Sequence, residues 1–303
     1  MKYIKGFNIP PSLQGGVVTF GNYDGVHIGH QIMLQTLVNE AKARQVPSIV
    51  VTFEPQPQEF FAKDKPTRLL TLREKAAQCE ALGADALVIL PFNQAFATMT
   101  AESFIDTFLK GALKPRHLVV GHDWRFGANR TGDIGMLMQA GFEVTELAPI
   151  TIEGHRVSST AIREALKSHD LLKAEKYLGR RYSMSGKVRR GDGRGRELGF
   201  PTANIDPRRE PALRGVFAVK ALTNDGTMYP AVANLGTRPT VCGLKTLLEV
   251  HLLDADKDLY GKRLTIVFMQ FIRGEQRFAS IEELRSQIAA DVAVAKTIFY
   301  LNE

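Results

Sequence analysis

The chain has 303 residues, about twice the ~100–200 of one domain, and its 44% hydrophobic and 23% charged content excludes a disordered chain or a coiled coil. Its longest apolar run, Ala86 to Phe92, is far short of the ~20 residues that span a bilayer, no apolar segment follows the early lysines as a secretory signal requires, and the two cysteines, Cys79 and Cys242, match no metal or redox spacing. The 39 Lys and Arg against 32 Asp and Glu give a formal charge of +7, which attracts polyanions in general without choosing among them.

In chain order, Val17 to Phe20 is a short apolar strand, and Leu34, Leu37, Val38 and Ala41 then recur at helical spacing. Ser48 to Phe53 is the next β-branched run. Thr71 and Glu74 form a capping box for a helix carrying Leu72, Ala76, Cys79 and Leu82, which Gly83 ends. Ala86 to Leu90 is continuously apolar, as a strand covered on both faces requires. Thr100 opens a helix with Phe104, Phe108 and Leu109; Leu118 to Gly121 is strand, Asp133 to Ala140 helix, Val144 to Leu147 strand. Five strands separated by helices predict a parallel sheet wrapped on both faces.

The pattern changes after Ser158. Two short helices, Ala161 to Lys167 and Leu171 to Leu178, come first, the second capped by Asp170 and ended by Gly179. Alternating strands follow beyond Tyr182, at Val216 to Ala221, Leu247 to Leu253 and Leu264 to Phe271, with turns at Asn224-Asp225-Gly226 and Tyr260-Gly261. This is an all-β module of about 100 residues. A closing helix, Ser280 to Ala295, carries an apolar stripe of Ile281, Leu284, Ile288 and Val292. The boundary falls near residue 182, giving domains 1–182 and 183–303.

The strongest chemical signal is Gly21-Asn22-Tyr23-Asp24-Gly25-Val26-His27-Ile28-Gly29-His30, where the first strand hands over to the first helix. Strand ends in an open parallel sheet bind ligands, and a helix N-terminus offers free N–H groups to phosphate. Glycines at 21, 25 and 29 allow close backbone approach, and His27 and His30, three apart, reach one small anion and donate to charge developing on a phosphoryl group. Helix capping alone is the plainer account of the histidines, and zinc lacks a third ligand at a convincing spacing. Ser158-Ser159-Thr160-Ala161-Ile162-Arg163 opens a helix with hydroxyls and an arginine suited to a polyphosphate, or is an ordinary N-cap. Gly121 to Gly127 places a buried Asp123 beside the only tryptophan, Trp124, or is a loop packed by its aromatics.

No P-loop motif occurs. Gly191 to Arg196 imitates a dinucleotide fingerprint but has Arg196 where the third glycine belongs. Lys187, Arg189, Arg190, Arg194 and Arg196 read as a solvated loop, a phosphate-covering flap or an RNA contact, the last weakened by the lack of interleaved aromatics. On the strand from Leu247 to Leu253, alternation puts Leu248, Val250 and Leu252 on one face and Glu249 and His251 on the other.

GNYDGVHIGH, Thr52-Phe53-Glu54-Pro55, GHDWRFG and SSTAIR, in that order, resemble the adenylyltransferase half of the bacterial bifunctional riboflavin kinase/FAD synthetase family. The resemblance continues through Leu198 to Asn204, Asn234 to Thr240 and Leu248 to His251, covering almost the whole chain; Tyr23 stands where the family more often has Phe. It implies a Rossmann-like nucleotidyltransferase domain followed by a small antiparallel β-barrel with a terminal helix. It implies phosphorylation of riboflavin by ATP to FMN, then adenylylation of FMN to FAD, in the cytoplasm and with Mg²⁺, without nucleic-acid or membrane partners.

The expected catalytic residues are Glu249, as the base an alcohol nucleophile needs, and His27 and His30. Gly21, Asn22, Asp24, Gly25, Asp123, Ser159, Thr160 and Arg163 are expected to bind nucleotide phosphates, and Thr202 and Asn204, hard oxygen donors, the metal. Two rivals are a single-activity nucleotidyltransferase whose β module only binds substrate, and a non-catalytic RNA-binding protein.

Overall fold

The computed structural model describes residues 1–191, 194–240, 243–255 and 257–300; Cys242 and the Asp192-Gly193 pair of the basic stretch lie outside them. The chain divides into two compact units, one of residues Met1–Pro66 and Leu72–Ser159, the other of Thr67–Thr71 and Thr160 onward.

In the first unit, β1 (Lys2–Lys5), β2 (Val17–Phe20), β3 (Ser48–Glu54), β4 (Ala86–Pro91), β5 (His117–Gly121) and β6 (Val144–Leu147) form one parallel sheet in the order β1-β4-β3-β2-β5-β6. The sheet thus has six strands rather than five. The added β1 lies on the edge beside β4, and its mostly exposed Lys-Tyr-Ile-Lys carries little apolar signal. All four residues of β2 are buried, as are the first five of β3 and β4, which matches their apolar runs. From β2 the chain winds one way to β3 and β4, then crosses to β5 and β6. The carboxyl ends of β2 and β5 therefore face a topological switch point, where such sheets bind ligands.

The helices of this unit are α1 (Ile28–Ala43), α2 (Pro57–Phe61), α3 (Leu72–Ala81), α4 (Gln94–Ala97), α5 (Ala101–Ser103) and α6 (Ile134–Gln139). A small hairpin, β7 (Thr151–Ile152) and β8 (His155–Arg156), follows β6. Thr100 caps α5 by accepting the Ser103 N–H at 3.1 Å, but after one turn the winding widens to a π-helix, Phe104–Leu113. Its i→i+5 bonding lets Phe104, Ile105, Phe108, Leu109 and Leu113 all enter the core beside Phe20 and Leu118. Asp133 caps α6.

The second unit begins with α7 (Ser159–Lys167, Ser159 itself in the first unit) and α8 (Leu171–Leu178), the latter capped by Asp170 and ended by Gly179 in the left-handed conformation. Next come β9 (Ser183–Arg189), α9 (Arg194–Glu197), β10 (Ala203–Ile205), β11 (Gly215–Thr223), β12 (Met228–Thr240), β13 (Gly243–Leu252) and β14 (Arg263–Arg273). These strands close into an antiparallel barrel in the order β10-β13-β12-β11-β14-β9.

The chain's last described element is α10 (Ile281–Tyr300). Of the expected stripe, Leu284, Ile288 and Val292 are half-buried and only Ile281, at the helix start, is exposed. The same face continues through Asp291 and Ala295, with Val292, Ile298 and Phe299 packed against Val216, Ala218 and Leu253. Arg273 on β14 grips Asp291 on that face with two bonds of 2.8 Å.

Candidate functional site

The turn after β2 is tight. Tyr23 and Val26 take φ of 48° and 40°, and Gly25 takes 84°, a conformation that only glycine adopts without strain. The Tyr23 side chain is fully buried, and its hydroxyl, the group that distinguishes it from Phe, is accommodated 2.7 Å from Thr19 Oγ1.

The turn delivers His27 to the N-cap of α1, where Nδ1 accepts the His30 N–H at 3.3 Å. That bond leaves the neutral His27 ring its proton on Nε2, a donor. The two imidazoles stack with centroids 3.7 Å apart and planes 16° from parallel. Gly29 permits the stack, because a Cβ there would lie 3.3 Å from the His27 ring. His27 therefore caps α1 and stacks on His30.

Burial, then the neighbouring His27 and Lys75, push the His30 imidazole well below its ordinary 6.5, and its buried Nδ1 has no hydrogen-bond partner among the described residues. Gly21, Asn22, His30 and Asp123 line a cavity of about 1400 Å³ whose other walls include Phe53, Phe61, Phe92, Phe96 and Trp124. Trp124 stacks between Phe20 and Phe126 at 5.2 and 4.8 Å, so the loop is also packed by its aromatics.

Asp24 is buried, and its carbonyl accepts the hydroxyl of Ser159, also in the first unit, at 2.8 Å. Asp123 departs from expectation. Its side chain is 61% exposed rather than buried, because it sits in the turn beyond the end of β5, and it pairs with Arg156 of β8 at 2.6 Å. The Arg156 guanidinium holds its carboxyl below the usual carboxylate range. Thr160 and Arg163 follow Ser159 on α7 and belong to the second unit, where Arg163 Nε donates to the Thr67 carbonyl at 2.6 Å.

Two charged residues near the turn escaped the sequence reading. Arg156 lies in an exposed hairpin with no motif around it. Lys75 is 1% exposed, its Nζ donating to Thr52 Oγ1 at 3.0 Å. Its place three residues after Leu72 and four before Cys79, on the apolar side of α3, was the available signal. Burial pushes the Cys79 thiol up to about 11, which keeps it unreactive.

In the barrel, Leu248, Val250 and Leu252 are buried and Glu249 alternates with them, as period two requires. The register sets Glu249 opposite Asn204 on β10 and opposite Asn234 on β12. His251 donates from Nδ1 to the Pro201 carbonyl at 2.9 Å, and its ring meets Phe200 edge-on at 5.5 Å. This anchors the segment carrying Thr202 and Asn204 beside Glu249.

Asn204 Nδ2 donates to the Thr202 carbonyl at 3.4 Å, which commits the amide nitrogen and leaves its oxygen on offer. The backbone closes in on both residues. A Cβ at Gly195 would lie 3.0 Å from Thr202 Oγ1, and one at Gly191 2.4 Å from Asn204 Nδ2. A hydroxyl and an amide oxygen are hard donors that fit Mg²⁺. Among the described residues no group of three or more His, Cys, Asp or Glu gathers to hold a metal.

Two family models match, FAD synthetase over residues 9–161 and riboflavin kinase over residues 178–299. The chain is 46% identical over 311 aligned residues to the bifunctional riboflavin kinase/FMN adenylyltransferase of Escherichia coli K12, covering 100% of this chain and 99% of that protein. It is 45% identical to the protein of that name from Pseudomonas fluorescens, covering 98% of each. A crystal structure from Streptococcus pneumoniae titled a macrolide-efflux protein superposes with a TM-score of 0.84 at 29% identity, covering 98% of this chain and 99% of that one.

Proposed function

The chain belongs to the bifunctional riboflavin kinase/FMN adenylyltransferase family, and from that premise we propose how its residues divide the two reactions. The enzyme phosphorylates riboflavin with ATP to FMN, then transfers AMP from a second ATP to FMN, giving FAD and pyrophosphate. We assign the second step to residues 1–182 and the first to 183–303.

One observation carries the assignment of the adenylyl site: a stacked histidine pair at the switch point of a parallel sheet, one of them, His30, bordering an aromatic-walled cavity. The FMN phosphate, with a second pKa near ~6, arrives largely as a dianion and needs no base to attack the α-phosphorus. The site's work is alignment and charge stabilisation. His27 donates from Nε2 and His30 borders the cavity, while Gly21, Asn22, Asp24, Gly25 and Ser159 shape the phosphate-binding turn. Asp123 holds nucleotide from the rim, and we retain Thr160 and Arg163, which follow Ser159 in sequence, as phosphate ligands. The aromatic walls suit planar rings, the flavin and adenine.

The kinase step differs because its nucleophile is an alcohol. Glu249 takes the proton of the riboflavin 5′-hydroxyl as its oxygen attacks the γ-phosphorus and ADP leaves. Thr202 and Asn204 would hold Mg²⁺, which when bound with ATP neutralises phosphate charge. No helix among the described residues is long and apolar enough to cross a membrane. We place the enzyme in the cytoplasm, where ATP is at hand, with neither nucleic acid nor membrane as partner.

The test is a time course with riboflavin, ATP and Mg²⁺, the flavins separated by chromatography. Wild type forms FMN, then FAD. Glu249→Gln is expected to lose FMN formation by ~10²–10⁴-fold yet still convert added FMN. His30→Ala is expected to stop at FMN, with FAD formation down ~10²–10³-fold. Kinase activity surviving in Glu249→Gln removes that residue as the base, and both products falling together in His30→Ala defeats the two-site division.

A further inference from the structure

A lysine ammonium is almost never fully buried unless something requires it. Lys75 is, at 1% exposure, and it stands on the side of α3 that faces the sheet among Ala76 and Cys79. Its Nζ donates to Thr52 Oγ1 at 3.0 Å, and the Thr52 hydroxyl, itself completely buried on β3, directs its proton to the Asn22 carbonyl at 3.4 Å. Asn22 lines the cavity. A chain of donors therefore runs from a buried cation into the backbone of the phosphate-binding turn, each bond polarising the next.

We propose that Lys75 is a positioning residue for adenylyl transfer: acting through Thr52 and the Asn22 carbonyl, it fixes the turn between β2 and α1 and sets a positive charge near the histidine pair. The inference rests on the assignment of that turn as the adenylyl site. Its charge is felt at His30, where it joins burial and His27 in keeping the ring neutral. His30 also meets the His27 ring, stacked at 3.7 Å, and the buried Tyr23 ring at 5.0 Å, and Asp123 at the end of β5 lines the same cavity. A neutral His30 beside a fixed charge keeps its hydrogen-bonding direction constant while the substrate phosphates, themselves anionic, enter and leave. That constancy is pre-organisation of the kind that lowers a phosphoryl-transfer barrier.

The test uses the full-length enzyme, FMN and ATP as substrates, and NMR titration of the His30 ring. Lys75→Met, similar in length and without charge, is expected to lower the kcat for FAD formation by on the order of 10²-fold with little change in KM for ATP. Phosphorylation of riboflavin stays at the wild-type rate, and the His30 titration midpoint moves upward toward 6.5. Thr52→Val cuts the hydroxyl relay while leaving the charge, and lowers kcat in the same direction; Thr52→Ser, which keeps the hydroxyl, restores it. A folded Lys75→Met that keeps wild-type kcat, or one whose His30 midpoint stays put, overturns the proposal. If Lys75→Met does not fold, Thr52→Val decides, wild-type kcat there being equally fatal. His30→Ala run in parallel separates the two levels: full FAD formation in that variant removes the site assignment itself, whereas an inactive His30→Ala beside an unaffected Thr52→Val removes only the role of Lys75.

Discussion

His30 shows how much one side chain's surroundings say about its work. Desolvation by burial comes first in pushing its pKa below 6.5, and the neighbouring His27 and Lys75 follow. The sign of the consequence is fixed. Between its depressed folded value and 6.5 the unfolded chain binds a proton there that the folded chain does not, so stability rises with pH across that window and is complete above it. Thermal melts of the wild type should therefore fall as pH drops below 6.5, and His30→Gln, which cannot titrate, should flatten that slope; an unchanged slope would remove His30 as its source. The histidine pair was legible in the sequence because its glycine-flanked spacing is local. Lys75 was not, since a lysine is read as surface until the fold buries it. Asp123 was misread for the opposite reason: a neighbouring tryptophan suggested burial, and the turn that exposes it leaves no local mark.

Elements follow the same division between local and distant causes. Strands β2 to β4 could be read because both their faces are buried, and β13 because its alternation is clean. In contrast, β12 carries Pro230, Gly236 and Pro239, which read as breaks, yet pairing with β11 and β13 on either side makes it a barrel strand. The π winding of Phe104–Leu113 was likewise invisible, because apolar spacing marks a helix without fixing its pitch. In α10 the decisive residue is polar. Asp291, 3% exposed, holds Arg273 by two bonds and also accepts from Gln287 at 3.0 Å. Asp291→Ala leaves a partly buried guanidinium unpaired and should cost ~3–5 kcal/mol in denaturant unfolding of the second unit. A double-mutant cycle with Arg273→Ala isolates the coupling, and a cost within experimental error of zero would mean that α10 docks on its apolar contacts alone.

For the whole molecule, the change from alternating strand and helix to continuous β pattern was plain in the sequence and led to a division at residue 182. In the structure α8, and α7 from Thr160, fall in the second compact unit, and periodicity could not have shown that grouping, because each helix announces only that it has an apolar face and not what covers it. Within the second unit, Ala174, Tyr177 and Leu178 of α8 are buried. Ahead of α8, His169 stacks on Phe271 at 3.9 Å and bonds the Arg214 carbonyl at 2.9 Å. A fragment of residues 183–303 loses all of these contacts, while one of residues 160–303 keeps them. Counting even one buried Leu-sized side chain, the longer fragment should be more stable by at least ~2 kcal/mol and melt about 8 °C or more above the shorter. With Glu249, Thr202 and Asn204 in both, each folded fragment should still form FMN from riboflavin. Equal melting temperatures by calorimetry would show that the two helices contribute nothing to the barrel's stability, and would leave residue 182 as the division in energy as well as in sequence.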